Sequence, residues 1–90
     1  MPDYALICRD KPDHVDLRMA TRDEHLAFLR GTESLRFAGP LLEDGLPVGS
    51  LVVVGADNLE AAEAWAASDP YAKAGLFALV EVVEWKKVIG

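Results

Sequence analysis

Two segments of the sequence are apolar at both alternating sets of positions, which constrains the fold more than any other feature. In residues 51–54 and 77–83 both sets of every second residue are apolar, apart from Glu81. A strand points successive side chains to opposite faces of its sheet, so a sheet containing these strands needs cover on both faces. The chain has 90 residues, enough for one core, and we predict a single domain over residues 1–90.

The first helix has several candidate starting points. Asp13 and Asp16 follow the first apolar segment, and either side chain can cap the free amides of a first turn. Thr21 and Glu24 also have the spacing of a capping box, in which each side chain accepts from the other residue's amide. We therefore predict a helix that runs through Leu29. In the alternative prediction this helix is interrupted and begins again at Thr21.

Apolar runs and turn-forming residues divide the rest of the chain. The predicted elements are strand one over residues 4–8, strand two over 34–38 with an interruption at Gly39-Pro40, a loop over 41–49, strand three over 50–54, an alanine-rich helix from a cap in residues 57–58 to near Ser68, and strand four over 77–85. The order is β-α-β-β-α-β.

This order predicts an α+β, ferredoxin-like fold, in which two helices cover one face of an antiparallel sheet. The second apolar face then lacks cover within one chain. We expect it to pack against the same face of another copy, as an isologous homodimer or within a higher homo-oligomer.

Charge and composition exclude several classes of partner. Nine Lys and Arg against fifteen Asp and Glu give a net charge of −6, and the longest basic run is Lys86-Lys87. Nucleic-acid binding draws on clustered positive charge, so we expect no nucleic-acid partner. The apolar runs are far below the ~20 residues of a membrane helix, so we expect no membrane association. The single Cys8 and the lack of a leader pattern favour a soluble, cytoplasmic protein.

The sequence also predicts no cofactor. The glycines of residues 39–49 lie between two strands, without the following helix that dinucleotide and phosphate loops require. Cys8, His14 and His25 do not have the spacing of a zinc site, so we predict no metal.

Several short motifs follow one another along nearly the whole chain: Arg18 and Arg22, His25-Leu26, Ala38-Gly39-Pro40, Gly49-Ser50, Asp69-Pro70-Tyr71 and Ala74-Gly75. In identity and order, these motifs resemble those of the YCII-related family. One departure is the segment 41–48, which is shorter than in some relatives and changes the rim of the implied pocket.

The resemblance implies a dimeric α+β barrel with a histidine–aspartate centre, here His25 and Asp69. One member of the family is a dehydrochlorinase of a chlorinated hydroxyhydroquinone, and distant fold relatives include muconolactone isomerase. The implied chemistry is proton abstraction followed by elimination or isomerisation.

His25 is the histidine with the clearest context. Arg22, His25 and Leu29 are spaced to share one helix face. Imidazole titrates near neutral pH and can serve as a base, while a carboxylate at its other nitrogen fixes the tautomer. The alternative is a hydrogen-bonded helix residue without chemistry.

The other candidate residues have structural alternatives too. Asp69 before Pro70 matches a helix N-cap, a role compatible with orienting His25. Arg18 and Arg22 can bind a small anionic substrate or form surface pairs with acidic neighbours. The hydroxyls of Ser50 and Tyr71 can contact a substrate or satisfy local backbone.

Three functions remain open at this point. The first is a cofactor-independent lyase or isomerase, and the second is a small-ligand binder that uses the same pocket without catalysis. The third is a module that serves only for dimerisation.

Overall fold

A computed structural model describes residues 1–90 as a four-stranded antiparallel sheet with helices on one face. The elements are β1 (Asp3–Asp10), α1 (Val15–Arg30), β2 (Leu35–Glu43), β3 (Leu46–Gly55), α2 (Leu59–Ala67), α3 (Pro70–Lys73) and β4 (Phe77–Trp85). The strand order is β2-β3-β1-β4. The predicted α+β, ferredoxin-like architecture is confirmed, with α3 as an additional short helix.

Helix α1 is continuous, so the predicted capping starts are wrong. It begins after His14, which makes no side-chain capping hydrogen bond. Asp13 has a positive φ of 60°, Asp16 lies within the first turn, and Thr21 is buried in the helix interior. A stripe of buried residues three or four apart holds the whole helix against the sheet and outweighs the local signal at Thr21: Arg18, Thr21, His25 and Leu29.

The segment predicted as an interruption and a loop is instead a β-hairpin. Strand β2 continues through Gly39-Pro40, and only Asp44 and Gly45 separate it from β3. These two residues have φ values of 51° and 79°, which suit a tight two-residue turn. Pro40 is tolerated because β2 is an edge strand, where a missing backbone N–H need not break a ladder.

A β-bulge near the turn changes which side chains face the helices. Leu41 pairs with Gly49 but Leu42 pairs with Pro47, so Val48 is the extra residue. The shift brings Pro47 to the same side of the hairpin as Ser50.

The main core lies between the sheet and the helices. Its buried members come from the strands, α1 and α2, and they are Tyr4, Leu6, Cys8, Leu29, Val52, Val54, Ala56, Ala62 and Ala66. Alanines in α2 let that helix approach the sheet closely.

The opposite side of the sheet is also apolar, as predicted. Ala5 and Val53 are buried there, and the rings of Phe37 and Trp85 meet edge-on with centroids 5.9 Å apart. The remaining surface, which we call the open face, consists of partly exposed apolar side chains: Phe37, Leu51, Leu79, Val83 and Trp85. No helix of this structure has the length and apolar character needed to cross a membrane.

Candidate functional site

A cavity of about 410 Å³ lies between α1 and the β2–β3 hairpin. The helix supplies one wall, the hairpin the other, and Tyr71 from α3 closes the inner end. Its lining residues are Arg18, Met19, Arg22, His25, Leu26, Leu29, Ala38, Gly39, Pro40, Leu42, Pro47, Ser50, Val52 and Tyr71. Five of the six candidate residues chosen from the sequence therefore line one cavity, and Asp69 contacts one of them, His25.

His25 and Asp69 form a buried pair. Nδ1 of His25 lies 2.8 Å from Oδ1 and 3.0 Å from Oδ2 of Asp69. An ionised carboxylate can only accept hydrogen bonds, so Nδ1 carries the proton and donates a hydrogen bond to Asp69. Nε2 has no hydrogen-bond partner within the protein. Because no fully buried side-chain nitrogen or oxygen lacks a partner, Nε2 is not fully buried, and it is accessible from the cavity that His25 lines. In this tautomer the accessible nitrogen holds a free lone pair.

Asp69 is held in place by a second contact. It is the N-cap of α3, and its Oδ1 accepts from the backbone N–H of Tyr71 at 2.9 Å. Pro70 follows at the first helical position, where its fixed φ favours the helix start. The carboxylate therefore has both contacts considered from the sequence, one with the helix start and one with His25.

Tyr71 packs against two of the cavity's polar residues. Its ring stacks on the His25 imidazole, with centroids 3.9 Å apart and planes at 16°, and the Arg18 guanidinium carbon lies 4.5 Å from its centroid. Burial raises the pKa of Tyr71, although the positive charges of Arg18 and Arg22 oppose this. The phenol stays protonated at neutral pH and can donate a hydrogen bond.

Arg18 forms a buried network that the sequence interpretation missed. Its Nε donates to Asp10 at 2.6 Å, and its Nη2 donates to Asp10 at 3.0 Å and to Ser50 Oγ at 2.8 Å. The Arg18 and Asp10 side chains are only 5% and 6% exposed. The surface pairs considered for Arg18 do not form, because its side chain points inward to the end of β1.

The charge of this arginine is stabilised by its partner. Burial alone would lower the pKa of Arg18, but its hydrogen bond to Asp10 and the charge of Asp10 raise that pKa above its ordinary value. The sequence analysis missed Asp10 because this residue contacts Arg18 only in the folded chain. From the local sequence alone, a charged residue at the end of a strand indicates only a turn. Nη1 of Arg18 is not bound by Asp10 or Ser50, and the guanidinium also forms a side-chain hydrogen bond with Tyr71.

Arg22 and Cys8 occupy different surroundings. Arg22 is exposed, lines the cavity and forms no ion pair, so its charge faces an incoming ligand. Cys8 is buried in the core, where desolvation and the charge of Asp69 raise the pKa of its thiol to about 12. That thiol is protonated at neutral pH and is a poor nucleophile.

The fold and cavity together define a small α+β domain of the dimeric α+β barrel type with a ligand-sized site beside its first helix. The sequence matches the YCII-related domain over residues 3–86, and the chain belongs to that family. The resemblance noted from the sequence motifs is confirmed.

Relatives and solved structures agree with this assignment. An uncharacterised protein of Haemophilus influenzae is 39% identical, and the protein YciI of Escherichia coli O6:H1 is 37% identical; each match covers 94% of this chain and 97% of the relative. The structure of 5-chloro-2-hydroxyhydroquinone dehydrochlorinase (TftG) from Burkholderia phenoliruptrix AC1100, in complex with 2,5-dihydroxybenzoquinone, has a TM-score of 0.88 and 27% identity, covering 93% of both chains. An antibiotic biosynthesis monooxygenase with a TM-score of 0.61 and 13% identity, covering 99% of this chain and 100% of its own, shares the fold alone.

Proposed function

We propose that this protein is a cofactor-independent enzyme that removes a proton from a small, planar, anionic molecule. His25 is the base in this proposal, and Asp69 orients it and stabilises the imidazolium that forms. The observation that carries the proposal is the orientation of the imidazole, with Nδ1 bound to Asp69 and Nε2 accessible from the cavity. General-base catalysis requires this arrangement of a free lone pair and a fixed ring.

The remaining polar groups suit the charge that develops on the substrate. When Nε2 takes a proton from carbon or oxygen, the bonding pair stays on the substrate as an enolate or phenolate. The hydroxyl of Tyr71 can donate to that oxygen, and the neighbouring positive charge of Arg18 stabilises the anion. On a chlorinated hydroxy ring, the imidazolium of His25 returns the proton to the chlorine-bearing carbon to give a keto tautomer, and loss of a second hydroxyl proton then expels chloride, so that HCl leaves and a hydroxyquinone remains. On a substrate without a leaving group, His25 returns the proton to a different carbon and the reaction stops there. The first outcome is an elimination and the second an isomerisation, and neither needs an oxidant.

The walls of the cavity favour a ring-shaped substrate. Leu26, Leu29 and Val52 are apolar and surround the polar groups, as in many sites that bind small molecules. The structurally similar dehydrochlorinase is named for a chlorinated hydroxyhydroquinone and binds a small quinone. We therefore propose a hydroxylated aromatic or quinoid ring as the substrate class.

Turnover of a chlorinated ring tests the proposal. Incubation of the protein with 5-chloro-2-hydroxyhydroquinone under anaerobic conditions should release chloride at a rate proportional to protein concentration. Bovine serum albumin at equal concentration serves as the control for spontaneous loss. Binding of this compound in calorimetry without any chloride release would favour the non-catalytic binder.

We also propose a second copy of the chain as a partner, seated on the open face. The expected species in light scattering at micromolar concentration has twice the monomer mass of 9.8 kDa. Leu79 is 58% exposed on the open face, so Leu79→Glu should shift the protein to monomer by placing a charge in the interface. Leu59→Glu, at the start of α2 away from this face, should remain dimeric. A monomeric wild-type protein would contradict the proposed dimer.

A further inference from the structure

The outer end of the cavity is bordered by exposed apolar side chains. Met19 of α1 is 56% exposed and Leu42 of β2 is 62% exposed, and both line the cavity together with Pro47. We call these three residues the apolar mouth. Exposed apolar side chains that continue the wall of a cavity mark an extension of the binding site more often than isolated ones do.

The shape of the hairpin explains why this mouth exists. The two-residue turn at Asp44 and Gly45 lets both strands run to the tip, where Leu42 pairs with Pro47. The bulge at Val48 turns Pro47 toward the cavity, so the tip presents two apolar side chains to α1.

The inner and outer ends of the cavity differ in character. At the inner end Arg18, His25 and Tyr71 offer polar atoms that suit the oxygen substituents of a ring. The outer end offers the apolar mouth, with Arg22 as the one charged lining residue that is exposed. A volume of about 410 Å³ falls within the ~300–1,000 Å³ of clefts that hold drug-sized ligands, so a single small ring leaves the outer part unfilled.

We infer that the substrate carries an apolar substituent, an alkyl chain or a second ring, that projects from the reacting ring through the mouth. Leu42 is then a specificity-determining residue, which contacts the substituent and takes no part in proton transfer. This inference rests on the proposed function for the position of the reacting ring at His25.

The test compares two quinones by isothermal titration calorimetry on the wild-type protein. The first is 2,5-dihydroxybenzoquinone, and the second is the same compound with a butyl chain on a ring carbon. Each fully buried methylene is worth roughly fourfold in affinity, and a half-open mouth buries only part of the chain. We expect the butyl compound to bind about tenfold more tightly.

Two variants assign this preference to the mouth. Leu42→Ser should lower the ratio of the two affinities by roughly threefold or more. Leu46→Ser is the matched control, because Leu46 lies on the same hairpin, is 55% exposed and does not line the cavity. It should leave the ratio as in the wild type.

The outcomes separate this inference from the proposed function. Equal affinity for the two quinones, or an equal loss of preference in both variants, would overturn the inference even if chloride is released from the chlorinated ring. A tenfold preference that depends on Leu42 supports it, even if neither quinone nor any chlorinated ring is turned over. The ratio is a binding measurement and needs no catalysis.

Discussion

Replacement of His25 by Asn should lower the rate of chloride release from 5-chloro-2-hydroxyhydroquinone by about 10²–10⁴-fold, the usual contribution of a general base. The amide nitrogen of Asn can occupy the place of Nδ1 and keep the hydrogen bond to Asp69, while nothing replaces Nε2. The loss should therefore fall on kcat, with KM little changed. The measurement is steady-state chloride release over a range of substrate concentrations.

The other histidine of the chain provides the matched control. His14 precedes α1 and bonds through Nδ1 to the carbonyl of Pro12 at 2.7 Å, outside the main cavity. His14→Asn should retain the wild-type rate. A His25→Asn protein that unfolds at the same temperature as the wild type and still releases chloride at the wild-type rate would exclude His25 as the base.

Replacement of Asp10 by Ala should reduce the free energy of unfolding by about 3–5 kcal/mol, because it leaves the buried guanidinium of Arg18 without its carboxylate. Arg18 would then keep only neutral partners, the hydroxyls of Ser50 and Tyr71. The measurement is urea denaturation at neutral pH, followed by tryptophan fluorescence. Loss of the bidentate contact should also displace the guanidinium from the cavity and weaken quinone binding.

A second, more exposed Arg–Asp pair in the same chain serves as a control for the effect of burial on the loss of stability. Arg36 donates to Asp3 at 2.9 Å, but these side chains are 42% and 23% exposed. Asp3→Ala should therefore cost less than about 1 kcal/mol. The double variant Asp10→Ala with Arg18→Met should recover much of the lost stability, because it removes the unpaired charge. Equal losses from Asp3→Ala and Asp10→Ala would contradict the role given to burial.

The order and layering of the elements could be predicted because they depend on patterns that are local or periodic. In β3 and β4 the side chains on both faces of the sheet are apolar, so the sheet requires cover on both faces. The structure places the helices on one face and leaves the open face on the other. The alanine-rich segment and its cap at Asn58 likewise form α2 as expected. These features need no knowledge of distant contacts.

The errors lie where a distant contact outweighs a local signal. Gly39-Pro40 has the composition of a turn, yet its position on the edge strand β2 lets the ladder continue. Thr21 has the spacing of a cap, yet burial against the sheet keeps it inside α1. Asp10 and the bulge at Val48 could not be placed, since each takes its role from the approach of another element.

The residues of the candidate site were predicted from the family's motifs, because local sequence patterns alone do not connect them. His25 and Asp69 are 44 residues apart in the chain, and no periodic pattern connects them. The family resemblance named both residues, and the fold brings them within hydrogen-bonding distance through the N-cap of α3. What the motif did not indicate is the tautomer, which follows from the contact of Nδ1 with a carboxylate.

Exchange of a carbon-bound proton tests the central claim most directly, because it needs no leaving group. In D₂O, the ring-proton signal of 2,5-dihydroxybenzoquinone can be followed by proton NMR with the wild-type protein, His25→Asn and His14→Asn. We expect the wild type and His14→Asn to accelerate the loss of this signal, and His25→Asn to leave it near the rate of buffer alone. Equal rates for the wild type and His25→Asn would contradict the assignment of His25 as the group that moves the proton.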